Sequence, residues 1–126
     1  MSLDIYLDSE EAETVSCVCP ICENEHQHTS KKMLFQANIT HNLCAMAHAC
    51  NLYQCMWRPE EIEITKAEQM TPLLKEGLQQ LLSDADKYKA LNSSNGWGSY
   101  YGFVTAVEKY LEATLEYPTA IVSVCR

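Results

Sequence analysis

Basic residues are scarce in this chain: nine Lys and Arg stand against seventeen Asp and Glu among 126 residues, a formal net charge of −8. Binding to a phosphate backbone needs a basic face, and Lys31-Lys32 is the longest cationic run, so nucleic acid is excluded as a partner. No apolar run approaches the ~18 residues of a membrane span, and Met1–Leu7 lacks the basic and apolar regions of a signal peptide. The expectation is a cytoplasmic protein with no membrane partner. In that compartment cysteines serve as thiols or metal ligands rather than disulfides. Glycine and proline number four each, and no repeat, linker or low-complexity tract divides the chain, which reads as a single domain over residues 1–126. A hydrophobic fraction of 47% excludes intrinsic disorder. The acidic run Asp8, Glu10, Glu11, Glu13 reads as a solvated loop.

What the chain does have is pattern. Leu3, Ile5 and Leu7 alternate with Asp4 and Tyr6, the signature of a half-buried strand. Further strands are expected at Thr14–Cys19 and Met33–Ala37, forming a cysteine-rich hairpin that occupies about residues 14–37. Asn38 or Thr40 can cap a helix carrying the apolar stripe Leu43, Met46, Ala47, Cys50, and Asn51 suits a left-handed helix end. Leu52–Trp57 is a short apolar segment closed by Arg58-Pro59. Thr65-Lys66-Ala67-Glu68 has capping-box spacing ahead of a core stripe through Met70, Leu74, Leu78 and Leu81. Pro72 means that this helix either kinks or starts at Thr71. Tyr100, Phe103, Val104, Val107 and Leu111 make a last amphipathic helix, ended before Pro118, and Ala120–Cys125 is a final strand. The expected fold is α+β: a small antiparallel sheet, with both chain termini as neighbouring strands, packed against about three helices.

Three constellations could carry chemistry. Cys17, Cys19 and Cys22, with His26 and His28, put five potential metal ligands into twelve residues, in a Cys-Pro-x-Cys context that suits tetrahedral zinc. Four protein ligands would leave no open position for water, so such a zinc is structural. Plain surface thiols are the bland alternative. His41, Cys44 and His48 share the side of the first helix opposite its apolar stripe. They read either as a solvent-facing row or as a second metal site or activated thiol.

The third constellation is polar and aromatic. Asn38, Thr40, His41 and Asn42 open a helix whose free amides suit an anion. Trp57 offers a ring, Arg58 a guanidinium and Glu61 a carboxylate, while Asn95, Trp97 and Tyr100 offer amide, ring and hydroxyl in a glycine-bearing loop. Together these are the groups that hold a nucleotide-like ligand, provided that the three segments converge. The alternative is that both indoles are core and Arg58 pairs with Glu60 or Glu61.

Met1-Ser-Leu-Asp-Ile-Tyr-Leu7, Asn38-Ile-Thr-His-Asn-Leu43, Trp57-Arg-Pro-Glu-Glu61, Asn95-Gly-Trp-Gly-Ser-Tyr100 and the terminal strand ending at Arg126 resemble, in order and spacing, a family of small bacteriophage and prophage proteins. The family often has glycine where this chain has Asn51, and its members vary in the cysteine-rich hairpin. The resemblance implies a viral or prophage origin and a place in the cytoplasm of an infected or lysogenic bacterium; no catalytic role comes with it. The leading expectation is an accessory protein, of the anti-defence kind, that binds and sequesters a small anionic, nucleotide-like ligand. A protein-interaction module that inhibits a host factor is the alternative, and a metal-assisted hydrolase the third reading. A homo-oligomer is compatible with each.

Overall fold

Strict alternation in Leu3-Asp4-Ile5-Tyr6-Leu7 puts three aliphatic side chains on one face of a strand, and all three are fully buried. Each contributes about 1.5–3 kcal/mol by leaving water. The computed structural model that carries this strand describes residues 2–18, 25–92 and 98–126, with the side chains of residues 10–18 and 25–32 outside the description. Strand β1 (Ser2–Val18) pairs antiparallel with β2 (Glu25–Thr40) on one side and with β3 (Ile121–Cys125) on the other, in the order β2-β1-β3. The two ends of the chain are thus neighbours in one sheet, in an α+β architecture.

The helices lie on the Leu3/Ile5/Leu7 face. A 3₁₀ turn (His41–Leu43) leads into α1 (Cys44–Ala49), followed by α2 (Tyr53–Trp57), a second 3₁₀ turn (Pro59–Ile62), α3 (Ala67–Ser83), α4 (Ala85–Lys89) and α5 (Tyr100–Glu116). Helices α3 and α5 form the main layer, with Met70, Leu74 and Leu81 of one meeting Phe103, Val107 and Tyr110 of the other in a single core. Phe35 of β2 stacks on Tyr110 at 5.7 Å. Thr114, fully buried, donates to the Leu111 carbonyl at 2.8 Å and accepts from Thr71 at 3.1 Å, so its hydroxyl is satisfied. Among the described residues, no helix is long and apolar enough to cross a membrane.

Several details differ from expectation. Two separate amino-terminal strands are one continuous β1, and Asp8 and Glu13 take their places in its ladder with β2, opposite Met33 and Ser30, rather than in a loop. The ladder slips between Leu7 and Asp8 and again between Asp8 and Ala12, where extra residues bulge out. Beyond Asp8, β1 has only β2 for a partner, and the pair continues as a two-stranded ribbon. The helical layer has five α-helices among the described residues, not about three. Helix α3 starts at Ala67 and runs through Pro72. Pro72 and Glu68 are both exposed, so water can hydrate the Glu68 carbonyl that loses its donor. Gln69, not Glu68, reaches back to the helix start, its Oε1 accepting from the amides of Thr65 (2.7 Å) and Lys66 (2.9 Å).

Asn51 does adopt the left-handed conformation, at φ 62°. The Leu52 amide donates to the Ala47 carbonyl (2.8 Å) and the Asn51 amide to the His48 carbonyl (3.2 Å), the paired bonds of a Schellman stop. That turn drives the fully buried Leu52 against Gly77 of α3, leaving so little room that a Cβ there would collide with Leu52 Cγ and both its methyls. Gly77→Ala should therefore destabilise by about 1–2 kcal/mol, overpacking outweighing the roughly 1 kcal/mol that alanine gains in a helix. Urea unfolding measures this, and in a Leu52→Ala background the same change should cost nothing.

Candidate functional site

Helix α2 is five residues long and places Tyr53 and Trp57 one turn apart, so their rings stack at 5.6 Å with planes 16° from parallel. Because Asn51 reverses the chain, His48 of α1 lays its imidazole flat on the other side of Tyr53, at 3.9 Å and 17°. Trp57 is 1% exposed, and its indole N–H donates to His41 Nδ1 at 3.0 Å. The hydrogen bond satisfies a polar atom that would otherwise be costly to bury. The result is a continuous row of rings, His48, Tyr53, Trp57, His41, that runs from solvent to the buried Trp57 and out again to the half-buried His41.

Polar groups border the row. Arg58 Nε donates to the Tyr53 hydroxyl at 3.2 Å, and Arg58 Nη1 lies 3.9 Å from a Glu61 carboxylate oxygen. The hydroxyl first, then the carboxylate, push the Arg58 ionisation further up. Gln54 donates to the other Glu61 oxygen at 2.8 Å. The Arg58 and Glu61 side chains are 41% and 49% exposed, so water screens the pair, which is worth at most about 1 kcal/mol. A cleft of about 250 Å³ opens beside the row at His48, Asn51, Tyr53 and Gln54. From behind, Arg126 at the end of β3 donates to the Trp57 carbonyl (2.8 Å) and to Glu60 (2.6 Å), fastening the last residue to the end of α2.

The sequence-derived candidates fall into groups. His41, Trp57, Arg58 and Glu61 come together. Thr40 caps the first turn by accepting from the Asn42 amide at 3.3 Å, and that turn is a three-residue 3₁₀ segment, so it presents fewer free amides to an anion than a full helix start. Asn38 is elsewhere: on the sheet face away from the helices it donates to Ser2 Oγ (2.9 Å) and Asp4 Oδ1 (2.7 Å). Tyr100 is a core residue whose hydroxyl donates to the Leu81 carbonyl at 2.7 Å, joining the start of α5 to the end of α3. Asn95 and Trp97 lie outside the described residues. Gly98 is placed, however: a Cβ on it (φ 101°) would stand 2.8 Å from Thr40 Cγ2, so Gly98 lies against the start of the His41 turn. Tyr53 and Gln54 were missed as site residues; the four-residue spacing of Tyr53 and Trp57 was the signal available.

Of the zinc candidates, Cys19 and Cys22 lie outside the described residues, as do the side chains of Cys17, His26 and His28. The backbone register does place Cys17 directly across the ribbon from His26, with His28 two residues along the same strand and hence at a register position on the same face. His41, Cys44 and His48 do not form a second cluster: among the described residues no three metal-capable side chains gather. Burial pushes the Cys44 ionisation up, away from the thiolate that an activated thiol needs.

Comparison with family models, with curated proteins and with solved structures gives no match. The ring row can be probed directly. His41→Phe leaves the buried Trp57 N–H without an acceptor and should lower stability by about 1–3 kcal/mol, read by chemical denaturation. A cost below that range would show that the indole finds another partner.

Proposed function

We propose that this chain is a small binding protein that holds a planar anionic, nucleotide-like ligand at the Tyr53–His48 rings, with Arg58 taking its negative charge. The observation that carries the reading is that a stacked ring pair, a guanidinium and an open cleft occur together on one short stretch of chain. Tyr53 is covered by His48 and Trp57, so the exposed His48 ring, backed by Tyr53, is the face on which a base would stack, and Arg58 offers a planar fork to phosphate oxygens. Its exposed contact with Glu61 is long enough to be exchanged for a stronger, charge-assisted bond to a ligand. The Tyr53 hydroxyl holds the guanidinium in place for that exchange. With the resemblance to phage and prophage proteins, the biological role we infer is an accessory protein that sequesters such a ligand in the bacterial cytoplasm.

Thermal-shift measurements with mononucleotides, cyclic dinucleotides and inorganic phosphate test this. A ligand at about 100 times its Kd should add about 2.7 kcal/mol of stability. Arg58→Ala should weaken binding about 10- to 100-fold, the loss of one charge-assisted contact. Absence of any shift at about 1 mM nucleotide, where even a millimolar Kd would register, sinks the reading.

We also infer that the far end of the β1–β2 ribbon holds a structural zinc. A two-stranded ribbon is marginally stable in water by itself. Cys17 opposite His26, with His28 on the same face, supplies thiolate and imidazole at neighbouring register positions, and Cys19 and Cys22 are the remaining sequence candidates. The chemistry of this donor set fits zinc held closed, without an open position. Metal analysis of purified protein should find about one zinc per chain, lost in Cys17→Ser, with ligand binding at Arg58 unaffected. Full-length protein that carries no zinc when prepared with the metal present would overturn the inference.

A further inference from the structure

The two edges of the sheet are treated differently. The outer edge of β3 is closed at its start: the Val122 amide donates to the Thr65 carbonyl at 2.9 Å, and Lys66 bridges to Ile121. The outer edge of β2 is open, because β2 is the terminal strand and pairs only with β1. Among the described residues, no backbone hydrogen bond is made by that edge over residues 33–40 outside the β1 ladder.

Free edges are normally guarded by charge, proline, a bulge or a cover, and over residues 33–40 the ladder with β1 is irregular at Leu34 alone. Residues 33–40 read Met-Leu-Phe-Gln-Ala-Asn-Ile-Thr, with no charged residue and no proline in a chain that has a net charge of −8. Met33 is 53% exposed. Beside the edge runs a groove of about 270 Å³, walled by Phe35 and Ala37 on the strand and by Gly102, Thr105, Ala106 and Lys109 on α5. The first three of those α5 residues are small, so the helix leaves room there for side chains from another strand, with the exposed Lys109 at the end of the groove.

We propose that the open edge of β2 is a homodimer interface, in which two copies of this chain join their sheets by antiparallel β2–β2 pairing about Ala37. Directly opposed residues in an antiparallel ladder share a face, so the two-fold axis passes through a residue. Centred on Ala37, the register sets Phe35 opposite Ile39 of the second copy on the helix side, apolar against apolar. On the open side it sets Gln36 opposite Asn38. The Asn38 amide nitrogen is already committed to Ser2 and Asp4, which leaves its carbonyl oxygen to accept from the opposing Gln36. No like charges face each other along residues 34–40, the seven that pair in this register, so the pairing escapes the repulsion that the rest of this acidic surface imposes. A second copy is favoured over a foreign strand because the segment is complementary to itself in both its apolar and its amide positions. The interface is independent of the ring row and of Arg58.

Sedimentation velocity from about 10 to about 500 μM, bracketing a micromolar Kd, should show a monomer–dimer equilibrium. Amides of residues 33–40 should gain hydrogen-exchange protection as concentration rises. Thr105→Arg, at an exposed α5 position, fills the groove and should raise the dimer Kd at least about tenfold without changing the melting temperature measured well below the wild-type Kd. Ala37→Lys and Ala37→Glu place like charges across the axis, so each alone should be monomeric while an equimolar mixture dimerises. A wild-type chain that stays monomeric over the whole range overturns the proposal, as does a dimer that Thr105→Arg leaves intact.

Discussion

The pairing of β1 on both sides is the constraint from which the rest follows. Its inward row, Leu3, Ile5 and Leu7, is the floor of the core, and its ladders tie β2 and β3 to one another only through it. A strand slipped by one residue would turn those three aliphatic side chains to water and bring Asp4 and Tyr6 inside, so register here is strongly specified. Everything above the floor inherits this placement. Phe35 reaches Tyr110 because β2 is held in register, and Arg126 reaches α2 because β3 is.

The candidate site depends on two local devices working with that frame. Asn51 in the left-handed region ends α1 and sends the chain back, which is what lays His48 on Tyr53. Glycine would take the same conformation with less strain, but asparagine is among the few other residues that tolerate it. The second device is the His41–Trp57 hydrogen bond, which allows a large ring to sit in the core with its one polar atom satisfied. Rigid rings backed by a packed core are well suited to stacking, because little side-chain freedom is lost when a ligand arrives. Arg126 adds a third support by occupying the Trp57 carbonyl at the exposed end of α2.

The elements legible from pattern were those whose signal is local. The alternating start of the chain, the stripe from Tyr100 to Leu111 and the closing strand all appear where periodicity placed them, as does the turn at Asn51. Pro72 was misread because a proline in an exposed first half of a helix costs one hydrogen bond that water can replace, and tertiary packing of α3 outweighs it. Trp57, Arg58 and His41 were recognisable as residue types with chemistry, and proximity in the fold joins them. Tyr100 carries the same chemical credentials and is spent on the core, its hydroxyl bound to the Leu81 carbonyl.

Composition and periodicity by themselves determined the broad terms of this protein: an acidic α+β chain, strands at both ends, helices between, and a hairpin rich in metal-ligand types. These follow from short-range rules, since side-chain direction repeats every two residues in a strand and about every 3.6 in a helix. Only the tertiary structure decided which polar groups meet. Asn38 lies on the far face of the sheet from Trp57 because strand residues alternate sides, and Arg126 meets Trp57 across 69 positions of sequence because β3 pairs with β1. Whether an edge of the sheet is closed or open was likewise settled there, by the Thr65 carbonyl on β3 and by the order of the strands. Such contacts arise from long-range packing, to which no spacing along the chain gives access.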